Sequence, residues 1–173
     1  LTDLRARLLR NTDEARPEFY AGMDAANVDL KGFSEAFYRQ VCGAELGAVL
    51  DTLTYLAETD VWFELTTLLI PGENDSDAEL DAMTAWVVEH LGPYVPMHFT
   101  AFHPDFRMTS TPPTSPETVR RARAIALANG VRHAYTGNIV DPDGQPTTRP
   151  TCPTRVIERD GYRASPSPPA APG

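Results

Sequence analysis

The chain has 173 residues with 42% hydrophobic and 23% charged content, enough for one globular domain with a real core and short for a complete eight-stranded barrel. Its formal net charge of -9 argues against general nucleic-acid or anionic-membrane binding, which needs clustered Lys and Arg. No apolar run reaches membrane-spanning length, Leu1–Arg10 does not read as a signal peptide, and two cysteines make no disulfide framework, so a reducing cytoplasm is expected.

In chain order, Asp13–Gly22 predicts a short helix with Pro17 in its first turns. Ala26–Lys31 predicts a strand, and Ser34–Cys42 a short helix. Over Glu45–Glu58 the residues Leu46, Val49, Leu50, Leu53, Leu56 and Ala57 recur at helical spacing and predict an amphipathic helix. Val61–Ile70 has few charges and reads as a parallel strand covered on both faces, ended by Pro71-Gly72. Ser76 and Glu79 form a capping box for a helix that turns Leu80, Met83, Val87 and Leu91 inward and stops at Gly92-Pro93.

Met97–Phe102 predicts a third strand and Asp105–Pro113 a long loop. Ser115 then caps a helix with Pro116 at its first position, running to Gly130, and Val131–Thr136 predicts a fourth strand. Asp141-Pro142-Asp143-Gly144 is a turn signal. The expected organisation is an atypical segment 1–12, a β/α unit 13–140, an irregular extension 141–163, and a disordered Pro/Ala-rich tail 164–173.

This alternation of strand, loop and helix means an α/β fold with a parallel sheet, as a small open sheet or half of a barrel. An open parallel edge exposes backbone groups that must be paired or covered. In such sheets ligands sit at the carboxyl ends of the strands, where the polar residues of this chain fall.

Alternation puts Asp29 and Lys31 on one face, and likewise Glu64 with Thr66 and His98 with Thr100. Lys31 is the only lysine among 15 basic residues, so a compact ammonium at a strand end draws notice. It either neutralises Asp29 or Glu64, or lines a pocket for a charged small molecule. His103 sits on the strand-end rim, His98 reads as interior with a satisfied ring nitrogen, and His90 suits a helix C-terminus. His133 fits no single reading. The loop before Ser76 ends at free helix amides that would suit a carboxylate or phosphate, without a glycine-rich cradle. Cys152 has no partner at metal-ligand spacing.

Several segments together resemble radical SAM enzymes related to pyruvate formate-lyase activating enzymes, in particular those of the AmmeMemoRadiSam system. They are Met23–Lys31, Glu58–Glu64, Leu68–Asp75, His98–Phe106 and Tyr135–Asn138. The resemblance runs from about Asp13 to Tyr162. It implies the later part of a partial, TIM-like (β/α)6 barrel, that is, a parallel β/α half-barrel. The intact family binds a 4Fe-4S cluster and reductively cleaves S-adenosylmethionine to a 5′-deoxyadenosyl radical. The resemblance further implies that Asp29, Lys31, Thr66 and His103 face S-adenosylmethionine, while Leu69, Ile70 and Pro71 pack on its adenine.

The family's CxxxCxxC cluster motif and its glycine-rich motif are absent from this chain, and at the CPxC pair near the family's C-terminus Arg149 replaces the first cysteine. The implied protein is a fragment, inactive alone and marginally stable. Leu1–Arg10 and Ala164–Gly173 read as out-of-frame or truncated coding sequence. Two alternatives remain. One is a non-catalytic half-barrel that needs a partner chain. The other is a metal-dependent hydrolase with Asp29, His98, His103 and His133 as ligands.

Overall fold

A computed structural model describes residues 15–149, 154–160 and 163–166. Helix α1 (Ala15–Tyr20) leads into strand β1 (Ala25–Asp29), followed by α2 (Glu35–Phe37), which continues as a π-helical turn over Tyr38–Cys42. The order goes on with α3 (Leu46–Ala57), β2 (Trp62–Leu69), α4 (Asp77–His90), β3 (Met97–Ala101), α5 (Pro116–Ala128) and β4 (Ala134–Gly137).

Strands β1 to β4 form one four-stranded sheet in chain order, and every pairing in it is parallel. A doubly wound open sheet reverses its strand order, and this one does not. Its helices therefore gather on one face, and the fold is a β/α half-barrel. Phe63, Leu65, Leu69, Met97, Phe99 and Ala134 point to that face and are buried with Leu53, Leu80, Met83, Val87 and Val119.

Local chemistry explains the helix limits. Ser76 Oγ accepts from the Glu79 amide and Ser115 Oγ from the Thr118 amide, each satisfying an orphan donor of the first turn. Beyond the ends of α4 and α5 the chain turns at Gly92 (φ 90°) and Gly130 (φ 100°), conformations that disfavour a Cβ.

Four expectations change. The capping box is only half built: the Glu79 carboxylate accepts from the Phe33 amide at 2.6 Å instead of returning to Ser76. Strand β2 is fully buried on one face only; Glu64, Thr66 and Leu68 alternate on the other as half-buried residues, and Phe37, Val41 and Cys42 line a cleft beside Leu68. The fourth strand starts at Ala134, since the Val131 amide is still bonded to Ala126 and that of Arg132 to Pro93. The extension expected to be irregular instead builds an antiparallel sheet of β5 (Thr147–Thr148), β6 (Arg155–Asp160) and β7 (Arg163–Pro166). That sheet takes in the start of the segment expected to be disordered. The segment 1–12, residues 167–173 and Cys152 lie outside the described residues.

Candidate functional site on the open sheet face

The uncovered face of the half-barrel is polar, and its residues align across the strands. Asp29 is in register with Thr66, Thr66 with His98, and His98 with Tyr135. Asp29 ends β1, whereas His98 and Tyr135 stand second in β3 and β4. The row therefore crosses a sheet whose strands are staggered, as barrel closure requires.

At the β1 end, Lys31 Nζ donates to Asp29 Oδ2 at 2.9 Å, with both side chains about half exposed. Of the two partners open to Lys31 from sequence, the fold selects Asp29. Glu64 instead takes His98 Nε2 on Oε2 at 2.7 Å, so that ring nitrogen is satisfied as expected, but the ring stands part-exposed on the open face rather than in the interior. Thr66 Oγ1 donates to Asn27 Oδ1 at 3.0 Å. The His98 ring stacks on Tyr135 with centroids 5.1 Å apart, and the Tyr135 hydroxyl donates to Thr147 Oγ1 at 3.1 Å. These contacts join the small antiparallel sheet to the parallel one.

The segment that carries Lys31 is held at both of its peptide groups. Its N–H donates to the Tyr38 hydroxyl at 3.0 Å, and its carbonyl accepts from Asn74 Nδ2. Asn74 is fully buried; it also donates to the Leu68 carbonyl at 2.9 Å and accepts from the Ile70 amide at 2.7 Å. One side chain thus ties the ends of β1 and β2 together, and a buried amide so placed has its hydrogen-bonding capacity largely met. Burial pushes the Tyr38 hydroxyl pKa up to about 12, so it stays protonated at neutral pH. Burial likewise raises the Cys42 thiol, which lines a 290 Å³ cleft with Lys31, Leu68 and Ile70 and is a weaker nucleophile for it.

Not every sequence candidate joins this arrangement. Asp29, Lys31 and Thr66 do, and Ile70 lines the cleft beside Lys31. Leu69 points to the helices and is wholly buried, so Leu68, its neighbour in sequence, is the β2 leucine on the open face. The adenine contact implied for Leu69 does not fit this placement, because successive residues of a strand face opposite ways. His103 lies past the end of β3, 78% exposed, with Asp105 Oδ2 at 3.2 Å from its Nδ1. His133 precedes β4 at the opposite end of the sheet and tilts against Tyr94.

Sequence patterns did not single out Tyr38, Asn74, Tyr135 or Arg159 as site residues. Asn74 had the strongest available signal, an asparagine in a turn between a strand end and a capped helix.

No family model matches the chain. Over 142 residues it is 39% identical to the uncharacterized protein MJ0808 of Methanocaldococcus jannaschii, a match covering 82% of this chain and 42% of that protein. The chain thus spans less than half the length of this curated relative. Among solved structures, a domain of pyruvate-formate lyase-activating enzyme from Bacteroides vulgatus aligns with a TM-score of 0.65 at 17% identity, over 76% of this chain and 78% of that one. What the two share is the fold.

Among the described residues no three His, Cys, Asp or Glu side chains gather where they could hold a metal ion, and Cys42 is the only cysteine. The described residues therefore do not fit a 4Fe-4S cluster. Asp29, His98, His103 and His133, expected together in a metal-dependent hydrolase, do not gather either: His103 follows the end of β3 and His133 precedes the start of β4, at opposite ends of the sheet. No helix among the described residues is long and apolar enough to cross a membrane.

Proposed function

We propose that this chain forms the later half of a radical SAM barrel, with the ends of β1 and β2 as a wall of the S-adenosylmethionine site. The observation that carries this reading is the Lys31–Asp29 pair, placed at the rim of an uncovered parallel sheet and anchored through Tyr38 and Asn74. An ammonium beside a carboxylate suits a ligand with both an amino-acid head and ribose hydroxyls. Such a pair has little to contribute to stability at this exposure. Ile70 and Leu68, beside Lys31, offer apolar surface for a base.

In the intact enzyme, S-adenosylmethionine and a 4Fe-4S cluster would supply the radical chemistry. The residues of this chain bind and orient: Lys31 holds a carboxylate, Asp29 accepts from hydroxyl or ammonium groups, and Thr66 offers a hydroxyl. His103 stands on the rim. Cluster ligands come from a part of a longer polypeptide or from a partner chain, and this chain alone is inactive. The greater length of MJ0808 supports the first arrangement.

Equilibrium dialysis of the 173-residue chain with S-adenosylhomocysteine tests the reading. Saturable binding that falls at least about tenfold in Lys31→Met, close to 1.4 kcal/mol, is expected. A folded chain with no saturable binding would overturn it.

The edge of β1, unpaired among the described residues, favours a second reading of a half-barrel that docks on a partner chain. A strictly monomeric chain over a wide concentration range in sedimentation would count against that version.

A further inference from the structure

A second cleft, of about 540 Å³, opens on the same face at the far side of the sheet, between the end of β4 and strand β6. Its size lies within the range of small-ligand sites. His98, Asn138, Ile139, Val140, Gln145 and Arg159 line it, and none of them belongs to the β1–β2 wall.

Its charge pattern is unusual for so acidic a protein. Arg159 lies over the Tyr135 ring, 5.5 Å from its centroid, and reaches Thr147 Oγ1 from Nη1 at 3.5 Å. Among the described residues no carboxylate pairs with it. Its neighbours differ: Arg155 bonds to Asp143 at 3.0 Å, and Arg120 approaches Asp141 to 3.5 Å. A guanidinium carries five donors in a planar fork, so most of those of Arg159 are left to face a ligand.

The amides add donors. Asn138 Nδ2 donates to the Ala101 carbonyl at 3.1 Å and Gln145 Nε2 to the Ile139 carbonyl at 3.0 Å, which fixes each amide and leaves its second N–H for another acceptor. Asn138 holds φ 60°, a left-handed conformation that asparagine tolerates better than most residues. The aliphatic side is supplied by Ile139 and by Val140, which is 86% exposed.

The surrounding acids set the charge the cleft accepts. Glu64 stands behind His98 at 2.7 Å, and its carboxylate disfavours a second negative charge on a ligand. Asp141 is buried, accepts from Thr136 Oγ1 at 2.9 Å and is offset by Arg120. One cation with two amides therefore suits a monoanion better than a phosphate dianion.

We propose that this cleft binds a small organic carboxylate with an aliphatic body, the carboxylate on Arg159 and the amides of Asn138 and Gln145, and the body against Ile139 and Val140. The site stands on its own residues, whether or not S-adenosylmethionine binds at β1 and β2. Its position on the same open face makes it a place for a substrate rather than for a structural ion.

The test uses the full chain, labelled with nitrogen-15 and titrated with 3-methylbutanoate, its alcohol 3-methylbutan-1-ol, and inorganic phosphate. With 3-methylbutanoate, the side-chain signals of Arg159, Asn138 and Gln145 shift saturably. The alcohol and phosphate bind at least about tenfold more weakly, as loss of a charge-assisted bond or a poor charge match implies. Arg159→Gln weakens carboxylate binding by about tenfold or more, and Gln145→Ala, which leaves the cation–ring contact intact, weakens it severalfold. Phosphate binding as tight as that of the carboxylate, shifts confined to other surfaces, or undiminished binding in both variants would each overturn the proposal.

Discussion

The two faces of the parallel sheet are built from the same strands, residue by residue in alternation, and they obey different rules. On the helix side Leu65, Leu69, Met97 and Phe99 are wholly buried, and the one polar residue of β2 there, Thr67, donates from Oγ1 to the Leu30 carbonyl at 2.8 Å. On the open side Asn27, Asp29, Glu64, Thr66, His98 and Tyr135 pair with one another, with Lys31 or with the antiparallel sheet, and remain partly in contact with water. The first face supplies the stability. The second is held in place by it and carries the recognition chemistry, which is the division expected of a barrel wall.

The widest separation between the faces should appear at Phe99. Replacing it by alanine removes a ring packed among the helices and should cost about 3–5 kcal/mol, a large share of a domain's total stability. Urea denaturation reads this as a fall in midpoint, or as a chain already unfolded in buffer. A loss below about 1 kcal/mol would mean that the helix side is loosely packed and the contrast false.

Asn74 lies between the two faces, a buried tie that supports an exposed pair. Asn74→Ala leaves the Ile70 amide and the Lys31 and Leu68 carbonyls without this partner and should cost about 2–3 kcal/mol. Hydrogen exchange should also show the Ile70 amide losing protection more than the amides within β3. Uniform loss of protection would mean that Asn74 acts on the whole core rather than on the rim.

The smallest change is expected on the open side. Glu64→Gln keeps the shape and removes the charge facing His98, whose side chain is 30% exposed against 36% for that of Glu64, and should shift stability by less than about 1 kcal/mol. A loss above about 2 kcal/mol, measured by the same urea titration, would show that this face is covered in solution and that a partner or a further segment lies on it.

Much of the architecture was legible along the chain because it depends on neighbours in sequence. Ser76 and Ser115 as caps, Gly92 and Gly130 as stops, and the apolar stripe of α3 each involve residues within a few turns of one another. The strand β2 shows where such reading stops. Its low charge suggested burial on both faces, yet whether a face is covered depends on helices up to dozens of residues away. The antiparallel sheet escaped for a related reason: β6 is rich in charge, β7 is short and ends on Pro166, neither carries an alternating apolar pattern, and the link from β5 to the parallel sheet runs through Thr147 and Tyr135.

The candidate site divides the same way. Alternation within a strand was enough to place Asp29 with Lys31, and Glu64 with Thr66, each pair on one face. Which of them meet across strands was not encoded locally. The register that sets Asp29 beside Thr66, and His98 beside Tyr135, is chosen by pairing between segments more than thirty residues apart, and one step of slip would send each strand's polar side chains into the core. Sequence alone determined the strand–helix alternation, the helix ends and the lysine at the end of β1. Tertiary structure decided that the helices gather on one side, that Lys31 takes Asp29 while Glu64 takes His98, and that Asn74 and Tyr38 anchor the rim, because those outcomes depend on the packing of distant segments rather than on spacing along the chain.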